Sequence, residues 1–92
     1  MKISYDPVKR EKALTERRID FNRAGEVFER LTFTQRDDRR DYGEIRYQTY
    51  GLLDGRLVMV VWTYGFESRH VISMRKCNER EKARFAARLD RP

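Results

Sequence analysis

The sequence predicts a single α+β domain in which helices pack against a sheet. Its length of 92 residues is ordinary for one domain, and no Pro-, Gly- or Ser-rich stretch divides it. Apolar residues recur at helical spacing early in the chain, whereas alternating, aromatic and β-branched runs separated by turn signals fill most of the remainder. We therefore expect a short N-terminal strand, two helices, an antiparallel meander of about four strands and a C-terminal helix.

The first part of the chain predicts the strand and the two helices. Polar and apolar side chains alternate over residues 2–5, and Asp6-Pro7 then supplies a capping residue followed by proline at the first helical position. The first helix is expected over about Pro7–Arg17. Asp20 is a second N-cap candidate, and the apolar residues after it have the spacing of an amphipathic helix: Phe21, Ala24, Val27, Phe28 and Leu31.

The second part predicts the meander and the last helix. Strand-like alternation over Leu31–Thr34 leads into a charged loop at residues 35–41. Glu44–Leu53 and Arg56–Tyr64 are predicted strands, joined at Asp54-Gly55, a strong hairpin signal. A turn at residues 65–68 precedes a further strand over Arg69–Lys76. Asn78 and Glu81 have the spacing of a capping box, which predicts a helix that continues through Leu89.

The charge balance favours an anionic partner. Lysine and arginine total 21 against 15 acidic residues, a net charge of +6, and arginine predominates. Guanidinium groups match phosphate and carboxylate in a planar, bidentate way, so nucleic acid or an acidic protein is the expected partner. The alternative is that the charge only keeps a small domain soluble.

Cysteine usage and hydropathy indicate a cytoplasmic protein. Cys77 is the only cysteine, so no internal disulfide can form and no thiolate metal cluster is indicated. No apolar run has the length of a signal peptide core or of a membrane span. We therefore expect a protein that is not membrane-bound and that resides in a reducing compartment.

Four short motifs, in this order along the chain, resemble the BrnT family. They are Tyr5-Asp6-Pro7-x-Lys9, Glu44-x-Arg46-Tyr47-x-x-x-Gly51, Arg69-x-x-x-Ser73-x-Arg75-Lys76 and Glu79-x-Glu81-Lys82. The resemblance covers essentially the whole chain and implies one RelE-like toxin domain over residues 1–92. It further implies a ribonuclease of a type II toxin–antitoxin system that stops translation and needs no cofactor.

The same resemblance implies a protein partner. Antitoxins of the family are small ribbon-helix-helix proteins that bind DNA and neutralise the toxin. The expected complex represses its own operon, and the toxin contacts operator DNA only through the antitoxin.

RNA cleavage without a metal ion requires a base, an acid and cations that stabilise the phosphorane. Arginine stays charged and suits the last role, whereas Glu44 could act as the base but is more simply explained as a structural partner of the arginines. His70 is the only histidine, which excludes a two-histidine site, and a lone strand histidine is more often structural. The catalytic candidates are Arg46, Arg75, Lys76, Glu44 and Tyr47.

A wider set of residues is predicted to bind RNA. Strand alternation places Arg69 on one face with Arg75, where the arginines either line a phosphate groove or pair with carboxylates such as Glu44 and Glu67. The predicted last helix carries a basic stripe that is either a solvated face or a contact for RNA or an acidic antitoxin: Arg80, Arg84, Arg88 and Arg91. The RNA-binding candidates are Arg36, Arg39, Arg40, Arg69, Tyr50, Arg80 and Arg84.

The aromatic residues have alternative interpretations, and two other functions fit the same sequence. Tyr47 or Tyr50 could supply a phenol or a surface on which a base stacks. Trp62 is favoured as a core residue, with base stacking as the alternative. A nonenzymatic nucleic-acid-binding module would use the same basic surface, and a purely structural partner in a repressor complex would bind an acidic protein but not RNA alone.

Overall fold

The computed structural model describes residues 1–89 and has the expected α+β order. Residues 90–92, which include Arg91 of the predicted basic stripe, lie outside the described part of the chain. The elements are β1 (Lys2–Tyr5), α1 (Pro7–Arg17), a short 3₁₀ helix (Phe21–Arg23), α2 (Ala24–Phe28), β2 (Phe33–Arg36), β3 (Tyr47–Leu53), β4 (Arg56–Gly65), β5 (Ser68–Lys76) and α3 (Glu79–Leu89).

The five strands form one mixed sheet in the order β1-β5-β4-β3-β2. β2 to β5 are antiparallel neighbours, so the predicted meander is confirmed. β1 pairs with β5 in parallel, because the helices that follow β1 carry the chain across the sheet before the meander begins. Both residues of the β3–β4 turn, Asp54 and Gly55, have positive φ, as the hairpin signal predicts.

Each face of the sheet carries its own core. On the α1/α2 face, the helices cover the largest cluster, which includes Val60, Trp62 and Met74. On the opposite face, here called the α3 face, a smaller cluster includes Met59 and Phe85 of α3. The burial of Trp62 confirms its predicted place in the core.

A β-bulge changes which side chains of β5 share a face. Val61 pairs with Ser73 and Trp62 with Val71, so Ile72 is an extra residue with no opposite partner on β4. The inserted residue reverses the alternation between the two halves of β5.

The bulge makes one prediction wrong. Arg69 is opposite Tyr64 and lies on the α1/α2 face, whereas Arg75 is opposite Met59 and lies on the α3 face. The two arginines therefore do not share a face, and it is His70 that lies on the same face as Arg75. Strict alternation could not show this, because the sequence does not mark Ile72 as a bulge.

The second helix is shorter than the run of apolar residues that predicted it. A 3₁₀ turn, capped by the Asp20 side chain, replaces its beginning, and α2 ends at Phe28. Leu31, expected on the buried face, is 54% exposed. α2 lies close against β3, where the Gly51 backbone, which lacks a side chain, leaves room for the side chain of Val27.

The strands around the charged loop also differ from their predicted limits. β2 continues to Arg36, and β3 begins only at Tyr47, so Glu44 and Arg46 belong to the loop. The Thr63 hydroxyl donates to the carbonyl oxygen of Ile45 at 2.7 Å. This side-chain bond holds residue 45 at the end of β4 in place of a regular ladder.

Candidate nucleic-acid interface

The predicted site residues divide among separate regions of the molecule. One group lies at the end of the sheet where β3 begins, β4 ends and β5 begins, which we call the Tyr47 end: Arg36, Arg39, Arg40, Glu44, Arg46, Tyr47 and Arg69. A second group lies on the α3 face or on α3 itself: Tyr50, Arg75, Arg80 and Arg84. Lys76 is in neither group.

The loop at the Tyr47 end is organised around a buried carboxylate. The Asp37 side chain is fully buried and accepts two hydrogen bonds of 2.7 Å from the Arg39 guanidinium. These bonds lower the pKa of Asp37 despite its burial. Tyr42 adds a weaker hydrogen bond of 3.3 Å to the same carboxylate. Arg39 therefore fixes the loop, and its charge is already balanced.

Two arginines of this loop lie over one aromatic ring. The guanidinium carbon of Arg46 is 4.1 Å from the centre of the Tyr42 ring, and that of Arg40 is 5.1 Å away. Arg46 also bonds the carboxylate of Glu44 at 3.1 Å. Arg36 pairs with Asp38 in the same way, at 2.8 Å. The sequence indicated these arginines but not Tyr42, the ring over which two of them lie.

An aromatic cluster continues the interface onto the sheet. The rings of Tyr47, Trp62 and Tyr64 contact one another with centroids 4.9–5.8 Å apart. Trp62 is held by its indole N–H, which donates to the Thr49 hydroxyl at 2.8 Å. Tyr64 is 60% exposed and presents a ring to solvent beside Tyr47. Tyr64 therefore lies at the surface, although it shares a face of β4 with the buried Trp62.

Arg69 is a cation held by aromatic rings. Its guanidinium carbon is 4.2 Å from the centre of the Phe28 ring and 5.3 Å from the Trp62 ring. Its Nε atom is buried without a hydrogen-bond partner. No carboxylate within residues 1–89 forms an ion pair with it. The aromatic rings thus pack against the planar guanidinium of Arg69, but no carboxylate balances its charge.

Arg75 is engaged differently, because α3 supplies its counterion. Two hydrogen bonds of 2.8 Å join its guanidinium to the carboxylate of Glu81. Glu81 also accepts from the backbone N–H of Asn78, which completes the predicted capping box. Arg75 lowers the pKa of Glu81 to about 2. Arg75 therefore pairs with a carboxylate, but that carboxylate is Glu81 rather than Glu44 or Glu67.

The other residues of the second group are positioned by α3. Tyr50 is buried and stacks on Phe85 with the ring centres 4.3 Å apart. Burial raises the pKa of the Tyr50 phenol. Arg80 and Arg84 are exposed on α3, and the Arg84 guanidinium also lies over the Phe85 ring. The Tyr50 ring is therefore covered, while the helix presents a basic surface.

Lys76 lies apart from Arg75, although they are adjacent in sequence. It is opposite Val58 on the α1/α2 face, in a groove of about 520 Å³ that also has Arg18 and Arg56 in its walls. The structure therefore does not bring together the catalytic candidates Arg46, Arg75 and Lys76 by direct contact.

Comparison with known proteins identifies the family. A family model described as the ribonuclease toxin BrnT of a type II toxin–antitoxin system matches residues 5–81. No curated protein matches the chain. None of the helices described is long and apolar enough to cross a membrane. The match includes the Tyr47 end and β5 and stops at Glu81, so most of α3 lies beyond it. The chain belongs to the BrnT family of ribonuclease toxins of type II toxin–antitoxin systems.

Proposed function

We propose that this protein is an endoribonuclease that cleaves RNA without a metal ion and thereby inhibits translation, and that it binds RNA at the Tyr47 end. The observation that carries the proposal is the uncompensated guanidinium of Arg69 beside an exposed aromatic ring. A phosphate is the ligand that such a group lacks, because it offers the negative charge and the planar acceptors that guanidinium bonds.

The aromatic residues next to Arg69 suit single-stranded RNA. Every base has a face that stacks on an aromatic ring, at about 1–3 kcal/mol per base, and unpaired bases are free to do so. Tyr64 offers such a ring at the surface, and Tyr47 contacts it at 5.8 Å between centroids. A nucleotide stacked there would place its phosphate among the arginines of the same end.

The arginines supply electrostatic stabilisation rather than proton transfer. Negative charge accumulates on the phosphorane during attack of the 2′-hydroxyl, and fixed cations lower the energy of that state. Arg69 is available without breaking an ion pair. Arg46 can exchange its contact with Glu44 for a phosphate at small cost, because a partly exposed ion pair contributes about 1 kcal/mol or less.

Cleavage in EDTA tests the activity and its location. We expect wild-type protein to cut single-stranded RNA under these conditions, and Arg69→Ala and Arg46→Ala to lower kcat by about 100-fold while remaining folded. Arg56→Ala is the matched control, since Arg56 is an exposed arginine at the opposite end of β4. Intact RNA with a wild-type protein that still binds it would favour the nonenzymatic binding module.

We further propose that a small ribbon-helix-helix antitoxin neutralises the protein in the cytoplasm and that the complex represses its own operon. Membership of a type II toxin family supports a protein antitoxin, and the net charge of +6 favours an acidic binding segment in it. Expression of the toxin alone should arrest growth, and co-expression of the product of the adjacent gene should restore it. Operator DNA should be retarded by the complex and not by the toxin alone.

A further inference from the structure

A histidine and two serines form a hydrogen-bonded chain across the β1–β5 pair. The Ser4 hydroxyl oxygen is 2.9 Å from Nδ1 of His70 and 3.0 Å from the Ser68 hydroxyl oxygen. Parallel pairing produces this contact, because Ser4 is opposite His70 and Lys2 is opposite Ser68 in the register. Side chains two residues apart on a strand share a face, so all of these groups lie on the α3 face.

The backbone at Gly65 leaves room for the Ser4–Ser68–His70 cluster. A Cβ atom at Gly65 would lie 2.6 Å from the Ser68 hydroxyl oxygen. A side chain at position 65 would therefore displace the Ser68 hydroxyl. Ser68 is buried, whereas Ser4 and His70 are half-buried. The hydroxyls therefore support the imidazole from the inner side, and its other edge is directed away from them.

The two hydroxyls can satisfy either tautomer of His70, because each can donate or accept, and general base catalysis at Nε2 uses the tautomer with its proton on Nδ1. With Nδ1 protonated, the ring donates to Ser4, and the Ser4 hydroxyl donates in turn to Ser68. Nε2 then carries a lone pair and is the basic nitrogen. Nε2 has no hydrogen-bond partner within residues 1–89, and Arg69 Nε is the buried nitrogen left without one in that range. This is the arrangement of a general base whose orientation is fixed by a second group.

The position of His70 brings it to the interface. α3 packs over β2 and β3, so it leaves the β1–β5 edge of its own face uncovered. His70 directly follows Arg69, and it is opposite Thr63, whose hydroxyl bonds the residue before Arg46. Lys2 adds a cation on the same face of β1. Arg69 lies on the α1/α2 face and His70 on the α3 face at the same end of β5, so RNA that contacts both must turn around this end of the sheet.

We propose that His70 is the general base of RNA cleavage and that Ser4 is its positioning residue; this inference rests on the proposed ribonuclease function. Nε2 takes the proton of the 2′-hydroxyl while O2′ forms a bond to the adjacent phosphorus. The bond from phosphorus to O5′ breaks, and the leaving oxygen takes its proton from water. The products are a 2′,3′-cyclic phosphate and a 5′-hydroxyl end, and the imidazolium returns its proton to solvent.

The test uses a single-stranded oligoribonucleotide in EDTA and the full-length protein. His70→Ala and His70→Asn should each lower kcat by about 100-fold or more with KM unchanged, because general base catalysis contributes about 10²–10⁴-fold. Asparagine retains a polar group that can bond Ser4 but has no basic nitrogen, so it preserves the link between β1 and β5. Added imidazole should restore part of the cleavage by His70→Ala.

Two serine variants separate positioning from folding. Ser4→Ala should lower kcat by about tenfold and leave KM unchanged, since the imidazole loses its orientation but not its basicity. Ser73→Ala is the control, because Ser73 lies on the same face of β5 and is not bonded to His70. It should retain wild-type kcat.

The possible results distinguish a failure of this inference from a failure of the proposed function. A folded His70→Asn with wild-type kcat, or a loss in His70→Ala that imidazole does not restore, would overturn the assignment and make the cluster a link between strands. Wild-type protein that does not cleave RNA at all would contradict the proposed function itself, and this inference with it. Cleavage by wild type that needs Arg69 but not His70 would overturn only the inference.

Discussion

At the scale of single residues, Glu81 has two structural roles. Its carboxylate pairs with Arg75 of β5 and accepts from the backbone N–H of Asn78 at the start of α3. Both contacts favour the charged form, and together they hold its pKa near 2, against an ordinary value of 4.5. One side chain thus caps the helix and fastens it to the sheet.

The low pKa of Glu81 predicts a specific loss of stability in acid. Its folded-state pKa is depressed, so its contribution is complete above about pH 4.5 and is lost as the pH falls towards about 2. Glu81→Gln should be less stable than wild type by about 1 kcal/mol at pH 6, since Arg75 is partly exposed and solvent screens the pair. Urea denaturation at pH 6 and at pH 2.5 measures the difference, which should shrink at the lower pH. An equal difference at both values would mean that the carboxylate charge is not what stabilises α3.

The residue types of the interface could be predicted from the sequence, but their partners could not. Arginine abundance indicated a phosphate-binding surface, and this required only composition and spacing. The separation of Arg69 from Arg75 depends on the bulge at Ile72, which is set by the packing of β4 against β5. Phe28 and Tyr42, the rings under the arginines, come from α2 and from a loop, far from β5 in sequence. Long-range packing therefore decides that Arg69 lies over aromatic rings whereas Arg75 pairs with Glu81.

At the scale of elements, the contact between α2 and β3 depends on the absence of a side chain. A Cβ atom at Gly51 would lie 2.7 Å from Cγ1 of Val27 and 3.1 Å from Cγ2 of Thr32. Val27 is fully buried, so it cannot move aside. Gly25 of α2 differs, because an added Cβ would meet Ile3 at an ordinary 3.6 Å.

These two glycines predict opposite effects of the same substitution. Gly51→Ala should lower the free energy of unfolding by about 1–3 kcal/mol through overpacking. Gly25→Ala should be neutral or stabilise by up to about 1 kcal/mol, because glycine within a helix is unfavourable. Urea denaturation of both variants at neutral pH makes the comparison. Equal effects would show that α2 can shift on β3 and that the close approach is not required.

A second element, α3, is anchored by one aromatic side chain. Phe85 is buried and stacks on Tyr50 and Phe33 with centroids 4.3 and 5.1 Å away. The same cluster encloses Cys77, and burial raises the pKa of that thiol to about 11. Cys77 is therefore both shielded and protonated at neutral pH, so its reactivity reports whether α3 is in place.

Removal of the anchor should expose this thiol. Phe85→Ala should release α3 and increase the rate of modification of Cys77 by a disulfide reagent by about tenfold or more, because the thiolate fraction rises as the pKa returns towards its ordinary value. Arg80→Ala, an exposed change on the same helix, should leave the rate unchanged. The measurement is made at pH 7.5 with intact secondary structure checked by circular dichroism. A slow rate in Phe85→Ala would show that the sheet alone buries Cys77.

Local signals predicted the elements, and tertiary contacts set their limits. Asp6-Pro7, Asp54-Gly55 and the Asn78–Glu81 capping box mark boundaries that the structure reproduces, because each acts through neighbouring backbone groups. The extent of α2 and the start of β3 depend instead on contacts from elsewhere in the chain. A periodic pattern alone cannot contain that information.

At the scale of the whole molecule, the distribution of paired and unpaired cations matters more than the net charge of +6. Several arginines at the Tyr47 end are matched by adjacent acids, such as Asp37 and Glu44, and these short-range pairs keep the loop ordered. In the proposed function, RNA binding replaces some of these pairs with phosphate contacts, which costs little at an exposed surface. The proposed interface therefore combines exchangeable ion pairs with two guanidiniums, those of Arg40 and Arg69, that form no ion pair within residues 1–89.

This arrangement predicts how RNA affinity depends on salt. Each phosphate neutralised on a single strand contributes about 0.7 to the slope of log affinity against log salt, because condensed counterions are released. Arg69→Ala should reduce the slope by about 0.7, and Arg36→Ala by less, because the Arg36 contact also releases Asp38 from its ion pair. Binding of 2′-O-methyl RNA, which cannot be cleaved, measures the slope between about 50 and 200 mM salt. Arg56→Ala, far from the Tyr47 end, should keep the wild-type slope. If Arg56→Ala lowers the slope as much as Arg69→Ala, the protein binds RNA through its overall charge, and the guanidinium of Arg69 has no special role in binding.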